Sequence, residues 1–306
     1  MSDNTIVKHE QGLEQLKQLV TDSLTSLNSR VAYDKALTDF LAWYQSTGQR
    51  GLIKATVAEY KTYLQSLGYA PATINQRLSA IRKLALEAAD NGLMDAQLAN
   101  GVARVRGITS SGVRTGNWLT KDQAQKLLDA PDITTLKGLR DRAILAVMLG
   151  AGLRRSEVAA LTFEHIQQRE GRWVIVDLIG KGKRIRTVPI PSWAKQAIDE
   201  WVQTAGISEG RIFRAVNKGD RLAGESLTSQ AVQDVVKAYA KQCGLELAAH
   251  DLRRTFAKLA RKGGADLMQI QLTLGHASVK TTERYLGENQ DLTSAPCDVL
   301  GLKLYQ

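Results

Sequence analysis

The sequence predicts a mainly α-helical protein with a small β-sheet: an N-terminal helical bundle followed by an α+β domain. Three observations predict it. Apolar residues repeat at helical spacing through the first hundred positions, an aperiodic Gly/Ser/Arg-rich stretch follows, and strand-like alternation is clearest within residues 173–190. At 306 residues the chain is long for one ordinary domain, so two are expected.

In the first part, Leu13, Leu16, Leu19 and Val20 set a helical beat. Tyr33, Ala36, Leu37, Phe40 and Leu41 repeat it, as do Val57, Tyr60, Tyr63 and Leu64. A further helix follows Pro71 with Ile74, Leu78, Ile81, Leu84, Ala85 and Ala88, and Gly48, Gly51, Gly68 and Gly92 punctuate the ends. These helices make residues 1–102 a bundle. Residues 103–117 have no period and are expected to be a linker, whose Arg106 and Arg114 suit a phosphate backbone. A tether with incidental charges is the alternative.

A second domain is expected over 118–290. Thr120 and Gln123 have capping-box spacing, and Leu139 to Leu149 is an apolar core helix that Gly150-Ala151-Gly152 ends. Arg154 enters a short helix with Val158, Leu161 and Phe163 inward; on position alone it pairs with a structural carboxylate, Glu157 being one candidate. Trp173 to Leu178 and Arg184 to Ile190 alternate like strands around the basic turn Gly180-Lys181-Gly182-Lys183. Arg211 to Arg214 is expected as another short strand. Helices follow at about 193–202, 228–242, 250–262, 266–274 and 279–286. The tail, 291–306, carries Val299, Leu300, Leu302 and Leu304, a pattern that suggests docking on its own body or in a neighbour's pocket.

Charge narrows the function. The formal net charge is +10, yet residues 1–102 hold ten basic and ten acidic side chains, so the whole excess lies beyond them. Such an excess suits a polyanionic partner, or simply solubility. No long apolar run suggests a membrane helix, and Met1-Ser2-Asp3-Asn4-Thr5 lacks a signal peptide's features. The two cysteines, Cys243 and Cys297, form neither a metal motif nor a disulfide framework, which fits a cytoplasmic or nucleoid setting. There is no acidic cluster at metal-binding spacing and no phosphate-binding Gly-x-x-x-x-Gly-Lys loop, so neither metal nor other cofactor is expected.

The richest chemistry lies late in the chain. His250 and Arg253 are three apart, on one face of a helix; Leu274-Gly275-His276 follows, then Tyr285 beside Arg284. A guanidinium can hold two phosphate oxygens in a fork, imidazoles move or share protons, and a phenol can act as a covalent nucleophile. Together they suit attack on a phosphodiester.

These residues resemble the second half of the active site of the tyrosine recombinase (phage integrase) family. The first half resembles Gly152-Leu153-Arg154-Arg155-Ser156-Glu157 and Gly180-Lys181, with Lys183 the nearest rival for the lysine. All six of the family's functional positions thus find a match in order: Arg154, Lys181, His250, Arg253, His276 and Tyr285. Thr73 to Lys83 resembles the family's N-terminal core-binding domain, where Arg77, Arg82 and Lys83 are candidates for phosphate contact and Asn75 and Gln76 for base edges. The solvated face of an amphipathic helix is the plain alternative for that set.

The resemblance implies that Arg154 and Arg253 neutralise the phosphate while Tyr285 forms a 3′-phosphotyrosyl enzyme. Lys181 would protonate the departing 5′-oxygen, His250 take the phenolic proton, and His276 hydrogen-bond a phosphate oxygen. It also implies double-stranded DNA with paired inverted sites, a Holliday junction, four protomers on DNA from monomers in solution, and a tail that docks into a neighbour. A type IB-like topoisomerase or a non-catalytic DNA-binding protein are the competing classes.

Overall fold

The computed structural model describes residues 14–48, 51–109, 117–180, 185–276 and 278–286, except the side chains of Lys280, Arg284 and Tyr285. Of the expected functional groups, Lys181, Lys183, Arg114, the Tyr285 side chain and the 291–306 tail lie outside the described residues. Two compact units divide the chain at 113/114.

In the first unit, α1 (14–22) precedes α2 (Leu27–Ser46), α3 (Lys54–Ser66), α4 (Pro71–Asp90) and α5 (Ala96–Ala103). Pro71 opens α4, where its missing N–H breaks no helical bond, and the Asp95 carboxylate caps α5 by accepting from the Gln97 and Leu98 N–H groups. The apolar stripes meet in a core containing Leu37, Phe40, Val57, Tyr60, Leu78 and Ile81, all at most 1% exposed. Each aliphatic side chain buried there contributes about 1.5–3 kcal/mol. Phe40 meets the Tyr60 ring edge-on at 5.0 Å between centroids.

The start of the expected linker is part of this bundle. Val105 is buried in its core, the Arg82 guanidinium donates to the Val105 carbonyl, and the Asn75 amide grips Ile108 at both backbone groups, at 2.7 and 2.8 Å. Gly107 leaves room for this: a Cβ there would come within 2.4 Å of Asn75 Oδ1. Side chains on α4 hold residues 105–108 rather than a helical or strand pattern of their own, so no period marks them.

The second unit is built on α7 (Leu136–Ala151), whose Ala143 to Met148 are fully buried. It follows α6 (Lys121–Asp129), which begins with the expected Thr120–Gln123 capping box. Within α7, Asp141 has no exposure and gathers Arg140, Lys137 and the Tyr239 hydroxyl, the last at 3.1 Å. Burial and this carboxylate push the Tyr239 phenol far up, so it remains a donor. After α8 (Arg155–Ala160), β1 (Ile166–Arg169), β2 (Arg172–Ile179) and β3 (Ile185–Pro189) form an antiparallel sheet in that order. The β2–β3 register shifts between Ile175 and Leu178, where Asp177 adopts φ 54°.

Strand β1 carries one apolar residue and no alternation, so the sequence did not mark it. The strand expected at Arg211–Arg214 is instead an isolated bridge from Arg211 to Thr162. Its apolar residues, Ile212 and Phe213, are buried, but the Ile212 N–H and carbonyl are taken by the Leu161 carbonyl and the Trp201 indole. Helices α9 (Ser192–Thr204), α10 (Ser229–Gln242), α11 (Ala249–Lys262), α12 (Leu267–Leu274) and α13 (Val279–Leu286) complete the unit.

Replacing Asp141 with alanine strands Arg140, itself 5% exposed, beside a lost carboxylate. We expect Asp141→Ala to lower the stability of this unit by about 3–5 kcal/mol, measured by urea unfolding followed through tryptophan fluorescence.

Candidate active site

Two left-handed glycine turns bring the site together. Gly152 ends α7 at φ 61° and Gly275 ends α12 at φ 62°. Neither place accepts a side chain: a Cβ would meet Phe256 at 2.6 Å in the first and Arg186 at 2.9 Å in the second. Arg154 lies two residues beyond one turn, and His276 directly follows the other.

Arg253, on α11, joins the two turns. It is 1% exposed and donates Nη1 to the Gly152 carbonyl at 2.6 Å and Nη2 to the Leu274 carbonyl. One buried guanidinium therefore fixes the backbone ahead of both Arg154 and His276. The helix that carries it begins at Ala249, whose N–H donates to the buried Gln233 side chain at 3.1 Å, and this places His250 in the first turn.

Arg154 stands at the N-terminus of α8 with its side chain one-quarter exposed. Glu157 holds it twice, accepting from its backbone N–H and from Nη1, both at 2.8 Å. The same carboxylate receives a bidentate pair from Arg186 on β3, both bonds at 2.9 Å, while Arg186 Nε donates to the Thr273 carbonyl at 2.8 Å. Burial pushes the Glu157 carboxyl up, but the hydrogen bonds from Arg186 and the Arg154 N–H, with both positive charges, hold it below its usual range.

The two imidazoles feel these cations. His276 is held down to about 4, by burial first and then by Arg253, Arg154, His250 and Arg186. His250 keeps an exposed edge by surface area, yet crowding by neighbouring atoms lowers it, helped by Arg253, Arg254 and Arg154 against an opposing pull from Asp251. Both rings are therefore neutral near pH 7. His276 is also fixed in place: its N–H donates to the Gln271 carbonyl, Gln271 Nε2 donates to its carbonyl, and Nδ1 shares a proton with Thr282 Oγ1 at 3.0 Å. Thr282 has no exposure and lies one turn before Tyr285 on α13, whose Leu286 packs with Ala257, Ile270 and Leu274.

Four of the six expected catalytic residues, Arg154, His250, Arg253 and His276, are thus brought together, and α13 docks beside them. Arg186 and Thr282 were missed. A signal for Arg186 existed: period-two alternation puts it on the face of β3 that carries the buried Val188, and an arginine there needs a partner. Thr282 had none beyond its helical spacing from Tyr285.

The nucleic-acid candidates on α4 are differently placed. Arg77 is corrected: at 6% exposure it pairs with Asp39 at 2.7 Å, reaches the Tyr60 hydroxyl and covers the Tyr69 ring, so its charge holds the bundle. Asn75 and Arg82 grip residues 105–108, as described above. Gln76 donates to the Ala32 carbonyl and Lys83 pairs with Glu87. Arg106 is exposed.

Comparison with known proteins adds an independent line. Residues 117–291 match the Phage integrase family, and residues 14–92 match Phage integrase, N-terminal SAM-like domain. Tyrosine recombinase XerC of Myxococcus xanthus is 30% identical over 260 residues, covering 81% of this chain and 83% of that one. Tyrosine recombinase XerD of Pseudomonas aeruginosa is 29% identical over 264 residues, covering 84% and 86%. Among solved structures, XerH site-specific recombinase bound to difH substrate aligns with a TM-score of 0.67 at 21% identity, covering 92% of this chain and 82% of that one. A lambda integrase dimer bound to a COC′ core site gives 0.67 at 18%, covering 90% and 76%. At those identities the structures speak for the fold.

The depressed imidazole has a measurable sign. Unfolded, His276 takes a proton near its ordinary value of about 6.5; folded, it does so only at about 4. Its contribution to stability is therefore complete above the unfolded value and is lost as pH falls through that window. We expect NMR titration to give His276 a midpoint near 4, and His276→Gln to flatten the acid side of the stability curve.

Proposed function

The chain belongs to the phage integrase family and is a tyrosine-type site-specific recombinase, and from that premise we propose that it cuts and rejoins duplex DNA through a 3′-phosphotyrosyl intermediate and a Holliday junction. The observation that carries this reading is the Arg253 guanidinium lacing together the turns that present Arg154 and His276.

In the proposed step the Tyr285 oxygen bonds to phosphorus and the bond from phosphorus to the 5′-oxygen breaks. The phenolic proton passes to His250, and the 5′-oxygen receives one from Lys181, so charge and protons balance. A free phenol has a pKa of about 10, so the neutral state of His250 matters: a protonated imidazole accepts nothing. His276, neutral and fixed by Thr282, serves as a hydrogen-bonding partner to a phosphate oxygen. Arg154 and Arg253 take the charge that gathers on the non-bridging oxygens, in surroundings dry enough to strengthen the attraction. These guanidiniums supply what other phosphoryl-transfer sites draw from a divalent cation. The phosphotyrosyl ester conserves the bond for rejoining, which needs no nucleotide.

By this reading the catalytic domain is 118–290, the preceding bundle joins it in holding the duplex, and four copies assemble on two sites with inverted repeats, linked by the 291–306 tail. Arg106 and Arg114 would follow the phosphate backbone, and Lys183 would contact the DNA. A cytoplasmic, nucleoid-associated setting suits that task; no described helix is long and apolar enough to cross a membrane.

The test begins with a duplex recovered by selecting protein-bound molecules from a random DNA library, then nicked to trap cleaved product. We expect a covalent adduct that persists in EDTA and disappears in Tyr285→Phe. An adduct undiminished in Tyr285→Phe overturns the assignment, and relaxation without exchange between two sites indicates a topoisomerase instead.

A further inference from the structure

We propose that Arg186, which lies in none of the catalytic motifs, is a positioning residue that sets the Arg154 guanidinium and the His276 turn together. The inference rests on the recombinase reading above and adds a residue to it.

All three guanidinium nitrogens of Arg186 are used. Nη1 and Nη2 close a two-bond fork on Glu157, and Nε reaches the Thr273 carbonyl in the last turn of α12. The side chain is 8% exposed and that of Glu157 is 4% exposed, so the fork is scarcely diluted by water. Glu157 passes the constraint on, since its two oxygens also receive the Arg154 backbone and side chain. On the other side, the Arg186 stem packs against Gly275, the residue before His276, closely enough that a Cβ there would reach Cδ at 2.9 Å. One residue on β3 thereby touches both ends of the site, and β3 is the strand that follows Lys181 and Lys183 in sequence.

Stability alone is a poor explanation for this cluster. Buried ion pairs lose much of their attraction to desolvation, and apolar replacements of similar volume are often as stable or more so. An apolar cluster, however, cannot aim a one-quarter-exposed arginine. A bidentate fork fixes a plane, and lysine cannot reproduce it although it keeps the charge. Arg186→Lys is therefore the informative change: net charge is kept and direction is lost.

The experiment uses the full chain and the nicked selected duplex, with protein in excess, so that the rate is read from bound complexes and unfolded protein lowers only the amplitude. Affinity is measured separately on the intact duplex with Tyr285→Phe as the background. We expect Arg186→Lys to slow adduct formation about 100-fold, the scale of an ångström-sized misplacement, with DNA affinity kept. Arg186→Gln, which can still donate to Thr273, should be slowed as well. A bound-complex rate equal to that of the parent in both variants overturns the proposal, including where affinity alone falls. If the parent itself yields no Tyr285-dependent adduct, the recombinase reading fails and this inference falls with it.

Discussion

Burying a guanidinium at 1% exposure costs several kcal/mol unless its donors are satisfied, and Arg253 meets that cost with backbone carbonyls. Its partners, Gly152 and Leu274, belong to segments more than a hundred residues apart in sequence. Each carbonyl sits at the end of a helix, where carbonyls lack intrahelical partners and carry the negative end of the helix dipole. Arg253 thus answers a need that α7 and α12 already have. The placement of Arg154 and His276 follows from it, because each lies within two residues of a bonded carbonyl. The left-handed glycines are part of the same constraint, since only a residue without Cβ turns there and still lets Phe256 or Arg186 approach.

The electrostatics follow from that placement. Burial and the neighbouring guanidiniums lower the proton affinity of both imidazoles, that of His276 to about 4, which favours their neutral forms. A neutral imidazole is what proton acceptance requires. The Thr282 contact makes the orientation of one ring depend on α13, the helix that bears Tyr285. Docking of that helix and alignment of the imidazole are thereby one structural event.

Much of this was legible in the sequence where local rules act alone. The Thr120 capping box, the apolar α7 and the alternation of β2 and β3 need only short-range patterns, and the motif residues declared themselves by type and order. What stayed hidden depended on partners distant along the chain. Residues 105–108 look like a linker because Asn75 and Arg82, not their own pattern, hold them in place. Arg77 lies between Ile74 and Leu78 on the buried stripe of α4, and its charge disguised an interior position that Asp39 makes tolerable. Arg186 was hidden for the same reason: a charged letter in a strand suggests solvent until the carboxylate that meets it is known.

The choice of partners decides how much charge remains for a phosphate. A carboxylate would hold an arginine firmly but cancel the charge that the reaction needs. Arg253 bonds to the neutral Gly152 and Leu274 carbonyls, which supply direction without themselves adding an opposing unit charge. Arg154 does use a carboxylate, Glu157, but shares it with Arg186, so that the second arginine offsets the acid. Three guanidiniums and one carboxylate then leave two positive charges among them, one for each arginine assigned to the phosphate. Removing Arg186 would leave Arg154 facing a carboxylate alone, losing both its aim and its surplus charge. The geometry of the fork and the electrostatics of the site are therefore a single arrangement, and a substitution that spares one while breaking the other can tell which the chemistry depends on more.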